Sequence, residues 1–189
     1  MTQHADAVKW NGRYRQDGTA WLNRSPRPLL THWLPRLPKQ GLALDAAAGV
    51  ALHGQALARH GLHVIALDIA EVGLRLAKQQ AITEGVFLET AVIDLTTLWL
   101  PPNTFDVIVN FRYLERHTFA VYRQALKPGG WLLFETFLRP SPATPDPHYY
   151  LEPGELKAAF AGWHIHLSQT NRGCNGRVTD QLVAQKPAK

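Results

Sequence analysis

The 189-residue sequence predicts an α/β protein: a mostly parallel seven-stranded sheet with helices on both faces, ending in an antiparallel hairpin. Three observations predict it. Short apolar or β-branched runs alternate with helix-period segments, the pattern of a parallel sheet covered by helices. Two of those runs, Leu42 to Asp45 and His63 to Leu67, end at or next to an aspartate (Asp45, Asp68), and a small-residue turn through Gly49 lies between them. Near the end of the chain, Trp163 to Thr170 and Val178 to Gln185 read as strands joined by a loop holding Asn175-Gly176, a pair that readily takes the positive φ values of a hairpin turn.

In chain order, residues 1–40 form an arm that is aromatic and punctuated by prolines, with a short helix expected from Pro28 to Leu34. Either this arm closes over the sheet edge as a lid, or Trp10, Tyr14, Trp21 and Trp33 only cover apolar surface. Residues 41–189 are expected to form one compact domain with the arm. Strands are expected at Leu42 to Asp45, His63 to Leu67, Val86 to Ile93, Phe105 to Asn110 and Trp131 to Phe137. The helix after Gly49 keeps Leu52, Ala56, Leu57 and His60 on one face and is followed by Gly61 as a C-terminal cap. Ala70 to Thr83 is expected to turn Val72, Leu76 and Ala77 to the sheet. The helix at Glu115 to Leu126 must stop before Pro128, after which Gly129 and Gly130 turn the chain into the fifth strand. A last helix is expected at Glu152 to Phe160.

A hydrophobic content of 46% excludes a disordered or fibrous chain, and 20 basic against 15 acidic residues give +5. The basic residues form no stripe interleaved with aromatics, so no nucleic-acid partner is expected. One cysteine, Cys174, excludes an internal disulfide and fits a reducing compartment. The N-terminus lacks a basic-then-apolar leader, and no apolar run approaches the roughly 20 residues of a membrane span, so a cytoplasmic protein is expected. Nine histidines occur without a ligand spacing such as HExxH, and no metal is expected. Nothing in the sequence sets the oligomeric state.

Gly49-Val50-Ala51-Leu52-His53-Gly54 reads GxAxxG, a near miss of the dinucleotide fingerprint, with Asp68 lying 19 residues beyond Gly49. Pyrophosphate needs close approach of backbone N–H groups where the Cβ of Ala51 would crowd it. Further on stand Ile93-Asp94-Leu95, the run Phe105-Asp106-Val107-Ile108-Val109-Asn110, and Leu126-Lys127-Pro128-Gly129-Gly130. With these motifs the sequence resembles the class I S-adenosylmethionine-dependent methyltransferases from about residue 41 to 137. The likeness is closest to small bacterial members of the tellurite-resistance and ubiquinone-biosynthesis type. It implies a Rossmann-like three-layer sandwich, S-adenosylmethionine as methyl donor with S-adenosylhomocysteine as product, and a small-molecule acceptor.

Position by position, the resemblance places Asp45, Ala47 and Gly49 around the methionine part. It gives Asp68 the ribose hydroxyls and sets Ile69 against the adenine. Asp94 and Leu95 would hold the adenine amino group and ring edge, and Asn110 and Phe111 would line the channel near the methyl group. The family's D-x-G-C-G-x-G reads Asp45-Ala46-Ala47-Ala48-Gly49-Val50-Ala51 here, so two of three glycines are alanine, which is expected to be tolerated only where φ is negative. Each aspartate also has a plainer role: Asp45 would tie down its own turn, and Asp68 or Asp94 would cap a helix.

Methyl transfer from a sulfonium needs alignment, desolvation and a deprotonated nucleophile. Candidate catalytic residues are Arg112 and Tyr113, placed to steer an anionic or phenolic acceptor, and His53, near the cofactor by position. Tyr14, His148, Tyr149 and Tyr150 are further acceptor-site candidates, with packing as the plain alternative. The amide-methylating Asn/Asp-Pro-Pro-aromatic signature is missing, since Asn110-Phe111-Arg112-Tyr113 stands there. Other readings are an RNA methyltransferase, a silent methyltransferase-like binding module, and an NAD-dependent oxidoreductase lacking a Tyr-x-x-x-Lys set.

Overall fold

The computed structural model describes residues 4–141, 143–144, 148–173 and 176–188. Cys174, Asn175 of the expected hairpin turn, and Pro142, Pro145, Asp146 and Pro147 of the proline-rich stretch lie outside the described residues. The chain divides into two compact units, Met1–Thr97 and Leu98–Lys189. The first holds α1 (Ala5–Asp17), α2 (Pro28–Trp33), β1 (Leu42–Ala46), α3 (Leu52–Arg59), β2 (His63–Asp68), α4 (Glu71–Glu84) and β3 (Leu88–Val92). The second holds β4 (Phe105–Phe111), α5 (His117–Ala125), β5 (Leu126–Phe137), α6 (Glu155–Ala159), β6 (His164–Arg172) and β7 (Val178–Gln185).

The seven strands run in the order β3-β2-β1-β4-β5-β7-β6. β1 with β2, β2 with β3 and β4 with β5 are parallel, while β5 with β7 and β7 with β6 are antiparallel. The expected mostly parallel sheet with its antiparallel end is therefore the fold. Within each unit the parallel strands end on one side, and the carboxyl ends of such strands are where an open α/β sheet takes its ligands. Among the described residues no helix is long and apolar enough to cross a membrane.

In the first unit Leu44 and Val64 on the strands, Leu57 of α3 and Leu62 are all buried. Each such side chain contributes about 1.5–3 kcal/mol of burial. α4 departs from its expected face. The residues it buries are Gly73, Leu74, Ala77 and Ala81, whereas Val72 and Leu76 pack with Trp10, Trp21 and Leu22 around a cluster of Tyr14, Val50 and Ala70. The helix has two covered faces, and α1 supplies the second cover. α3 likewise buries Gly54 to Ala58, leaving Leu52 and His60 half-buried at its margin.

In the second unit Ile108, Leu132, Phe134, Tyr122 and Phe160 are fully buried. Phe119 stands edge-on to both Phe134 and Phe160, at 5.7 and 5.9 Å. β5 begins at Leu126, not after Gly130: Leu126 pairs with Phe105, and the next pair is Trp131 with Val107. Lys127 to Gly130 thus form an irregularity inside the strand, since Pro128 offers no N–H to a regular ladder. Shorter than expected are β3, which starts at Leu88, and α6, which starts at Glu155.

Candidate functional site

β1 and β2 deliver Asp45 and Asp68 to the same edge, and the turn between β1 and α3 closes over them. Ala48 N–H donates to the Leu67 carbonyl at 2.9 Å, fastening the turn to β2. Three turn residues are left-handed: Ala47 (φ 54), Gly49 (φ 57) and Ala51 (φ 50). The expectation that alanine is accepted only at negative φ is overturned. The chain keeps the backbone path of a glycine-rich turn and carries two methyl groups through it, each at a cost of about 1–2 kcal/mol. The anchors at Leu67, Asp45 and Asp68 hold that path against the strain.

Asp45 has no solvent access. Its Oδ2 accepts the Gly54 N–H at 2.7 Å, as the plainer, turn-fixing role requires. Its Oδ1 has no partner among the described residues. Burial pushes the carboxyl up to about 7, opposed by the Gly54 N–H and reinforced by the charge of Asp68. Asp68 accepts the Gly49 N–H on Oδ2 and the Ala70 N–H on Oδ1, both at 2.7 Å. Burial raises its pKa also, against the pull of the Ala70, Gly49 and Ile69 N–H groups. A carboxylate offers about four lone-pair sites, and with the Gly49, Ala70 and Ile69 N–H groups directed at it one remains for a hydroxyl donor. Ile69 is half-buried beside it.

α1 lies across this edge. Tyr14 is buried against the turn: a Cβ on Gly49 would stand 2.4 Å from its phenol oxygen, and one on Gly73 would stand 2.9 Å from its ring and 2.8 Å from the Gly49 carbonyl. Burial, then the charge of Asp68, raises the phenol pKa, so it stays protonated. Three residues earlier, Asn11 Oδ1 accepts the Val72 N–H at 2.8 Å. That bond caps α4, whose own Ala70 provides no side-chain cap. At the start of α1, His4 Nε2 is 3.9 Å from Asp94 Oδ2. The arm therefore packs against the turn between β1 and α3, and Tyr14 faces it.

Asp94 uses Oδ1 to accept from Thr96 N–H and Oγ1–H at 2.9 and 2.8 Å, and these bonds hold its pKa low. It closes its own turn, with Leu95 buried next to it. His53 is driven down to about 3 by burial and then by Arg27. So weak a base accepts a proton poorly at neutral pH.

In the second unit Asn110 is fully buried and structural: its Nδ2 donates to the Tyr113 carbonyl at 2.8 Å, and its Oδ1 accepts from the Tyr122 hydroxyl at 3.1 Å. Phe111 is buried beside it. Arg112 adopts φ 63, its N–H donating to the Glu135 carbonyl at 2.7 Å while its guanidinium pairs with the Glu135 carboxylate at 3.1 Å. Tyr149, 46% exposed, stacks on Phe137 at 5.4 Å, and Tyr150 meets it edge-on at 4.9 Å. His148 is exposed. Sequence reasoning missed Asn11, Gly73 and Glu135. A glycine inside a helix and a glutamate inside the apolar run Trp131 to Phe137 were the available signals.

Residues 43–130 match the family model described as a methyltransferase domain. The ubiquinone biosynthesis O-methyltransferase of Idiomarina loihiensis is 32% identical over 102 residues, covering 51% of this chain and 42% of the relative. The chain spans about half the length of the curated relatives it matches. A SAM-dependent methyltransferase of Methanosarcina mazei has the same fold, with a TM-score of 0.67 and 18% identity over 88% of this chain and all of the other. So has the [4+2]-cyclase SpnF, with a TM-score of 0.72 and 15% identity over 85% of this chain and 80% of the other.

Proposed function

We propose that this chain is an S-adenosylmethionine-dependent methyltransferase that methylates a small-molecule acceptor by in-line displacement. The observation that carries the reading is Asp68, fixed at the tip of β2 by backbone N–H groups and keeping acceptor capacity for a ribose hydroxyl. The unpartnered, buried Oδ1 of Asp45 supports it, being an acceptor that lacks the donor an ammonium would supply. Ile69 and Leu95 offer apolar contact to a purine, and Asp94 keeps Oδ2 clear of its own turn's bonds to receive an exocyclic amine. S-adenosylmethionine supplies a methyl group already bonded to a good leaving group.

What remains for the protein is positioning and exclusion of water, and holding two reactants in an attack geometry is worth on the order of 7–11 kcal/mol. Asn110 and Tyr122 fix the backbone after β4, Arg112 stands at its end, and Tyr113 is held there through its carbonyl. Deprotonation of the acceptor falls to a group other than His53. The protein is expected to act in the cytoplasm, as its single cysteine suggests.

Calorimetric titration with S-adenosylhomocysteine tests the reading. Micromolar binding that falls at least tenfold in Asp68→Ala is the expected result. No heat with either the donor or its product, on folded protein, rejects it.

A further inference from the structure

Charge is unevenly placed along this chain. Residues 1–39 hold seven lysines and arginines against two acids, whereas the rest of the chain holds thirteen of each, so the whole +5 belongs to the arm. Scattered in sequence, these cations come together on the folded arm. α1 buries Ala7, Asn11 and Tyr14 and turns Val8, Lys9, Arg13 and Arg15 outward. Lys9, Arg13 and the exposed Arg24 form no ion pair among the described residues, while Arg59, Arg75 and Lys78 of the same unit pair with Glu84, Glu71 and Glu89. Of the two acids in the arm, Asp17 already accepts from Trp21 Nε1–H at 2.8 Å.

What the outward cations touch is indole. The Arg13 guanidinium carbon is 4.9 Å and Lys9 Nζ 5.7 Å from the centre of the Trp10 ring, and the Arg24 guanidinium carbon is 3.7 Å from that of Trp21. Both indoles are half-buried and both meet Tyr14, at 6.1 and 5.2 Å between ring centres. Cations and indoles thus form one continuous patch with Tyr14 as its floor, and Val8, 53% exposed, adds aliphatic surface on the same helix. The interface of an anionic bilayer accepts this composition: headgroups attract the cations, and amphipathic rings sit at headgroup level. Single-stranded nucleic acid is held instead by bases stacking on open ring faces, and here the cations and Tyr14 already engage the indoles.

We propose that the outer face of α1 together with residues 21–24 is a docking surface for an anionic lipid bilayer, with Lys9, Arg13 and Arg24 meeting the headgroups and Trp10, Trp21 and Val8 entering the interface. Because α1 also packs on the turn between β1 and α3, docking sets that turn beside the membrane surface. The proposal is independent of the methyltransferase reading.

The test is co-sedimentation of the full chain with vesicles of phosphatidylcholine alone and of an equal mixture of phosphatidylcholine and phosphatidylglycerol. Binding to the anionic vesicles only, weakening as salt is raised, is the expected result. Arg13→Gln combined with Arg24→Gln should reduce that binding by about tenfold or more. Lys157→Gln combined with Arg172→Gln removes the same charge from exposed positions of the second unit and should bind as the wild type does. Thermal melting checks that each double variant is folded. No partition onto the anionic vesicles, equal partition onto neutral ones, or equal losses in the two double variants overturns the proposal. So does polyuridylate that displaces the chain from the anionic vesicles, which would make the patch a nucleic-acid surface.

Discussion

The phenol oxygen of Tyr14 and the α-carbon of Gly49 are packed so closely that a methyl group on the glycine would stand 2.4 Å from that oxygen. Residue 49 also has φ 57. Gly49→Ala therefore meets both a clash and an unfavourable backbone, and we expect a loss of at least about 2 kcal/mol in urea denaturation. Because Tyr14 is one side of the clash, Tyr14→Ala should recover about 1 kcal/mol of that loss in a double-mutant cycle. Strict additivity would show that the two residues do not press on each other.

Ala47→Gly should stabilise the chain. Relief of left-handed strain yields about 1–2 kcal/mol, against roughly 0.4–1 kcal/mol of added freedom in the unfolded chain, leaving a gain of about 0.5–1 kcal/mol. Ala51 is fully buried, and losing its methyl costs about 0.8 kcal/mol more. Ala51→Gly should thus be close to neutral. Thermal melts that rank the two variants the other way would contradict this balance.

Removing the cap that α1 lends to α4 has a predictable size. Asn11→Ala is expected to cost about 1 kcal/mol, which is a fall of about 2–4 °C in melting temperature for a chain of this length. Asn11→Asp keeps an acceptor for the Val72 N–H and should melt near the wild type.

Stability should also fall as pH rises from about 4 to about 7. Asp45 has a folded-state pKa raised from its usual carboxylate value to about 7, so in that window the folded chain binds a proton that the unfolded chain has released. Asp68 is shifted in the same direction. Asp45→Asn keeps an oxygen for the Gly54 N–H and removes the charge. Its stability relative to wild type, from denaturation curves at pH 5 and pH 7.5, should be greater at the higher pH. A difference that is flat or reversed would show that Asp45 ionises normally.

The sheet was legible because β1, β2 and β4 are short apolar runs that end at or next to an aspartate or asparagine, and their burial leaves little room for other residues. The sequence spacing also put Asp45, Asp68 and Asp94 at strand tips, where the structure has them. The covered faces of α4 were not legible. Val72, Leu76 and Ala77 make a plausible sheet-facing stripe, and only the docking of α1, some sixty residues away, reassigns Val72 and Leu76 to a second cluster. For the same reason Asn11 as a cap has no local signature, and Glu135, visible as a charge inside an apolar run, does not point to Arg112: their partners are distant in sequence. The left-handed alanines broke a rule that holds for isolated turns, because here hydrogen bonds to Leu67, Asp45 and Asp68 dictate the path.

The docking of α1 has a practical corollary. A shortened chain that starts at β1 would strip Val72, Leu76 and Val50 of their cover, turning one flank of α4 into a greasy strip with a frayed end. Such a fragment should self-associate and dull any ligand measurement made on it, so trimming the first forty residues to ease crystallisation would remove part of what is being measured.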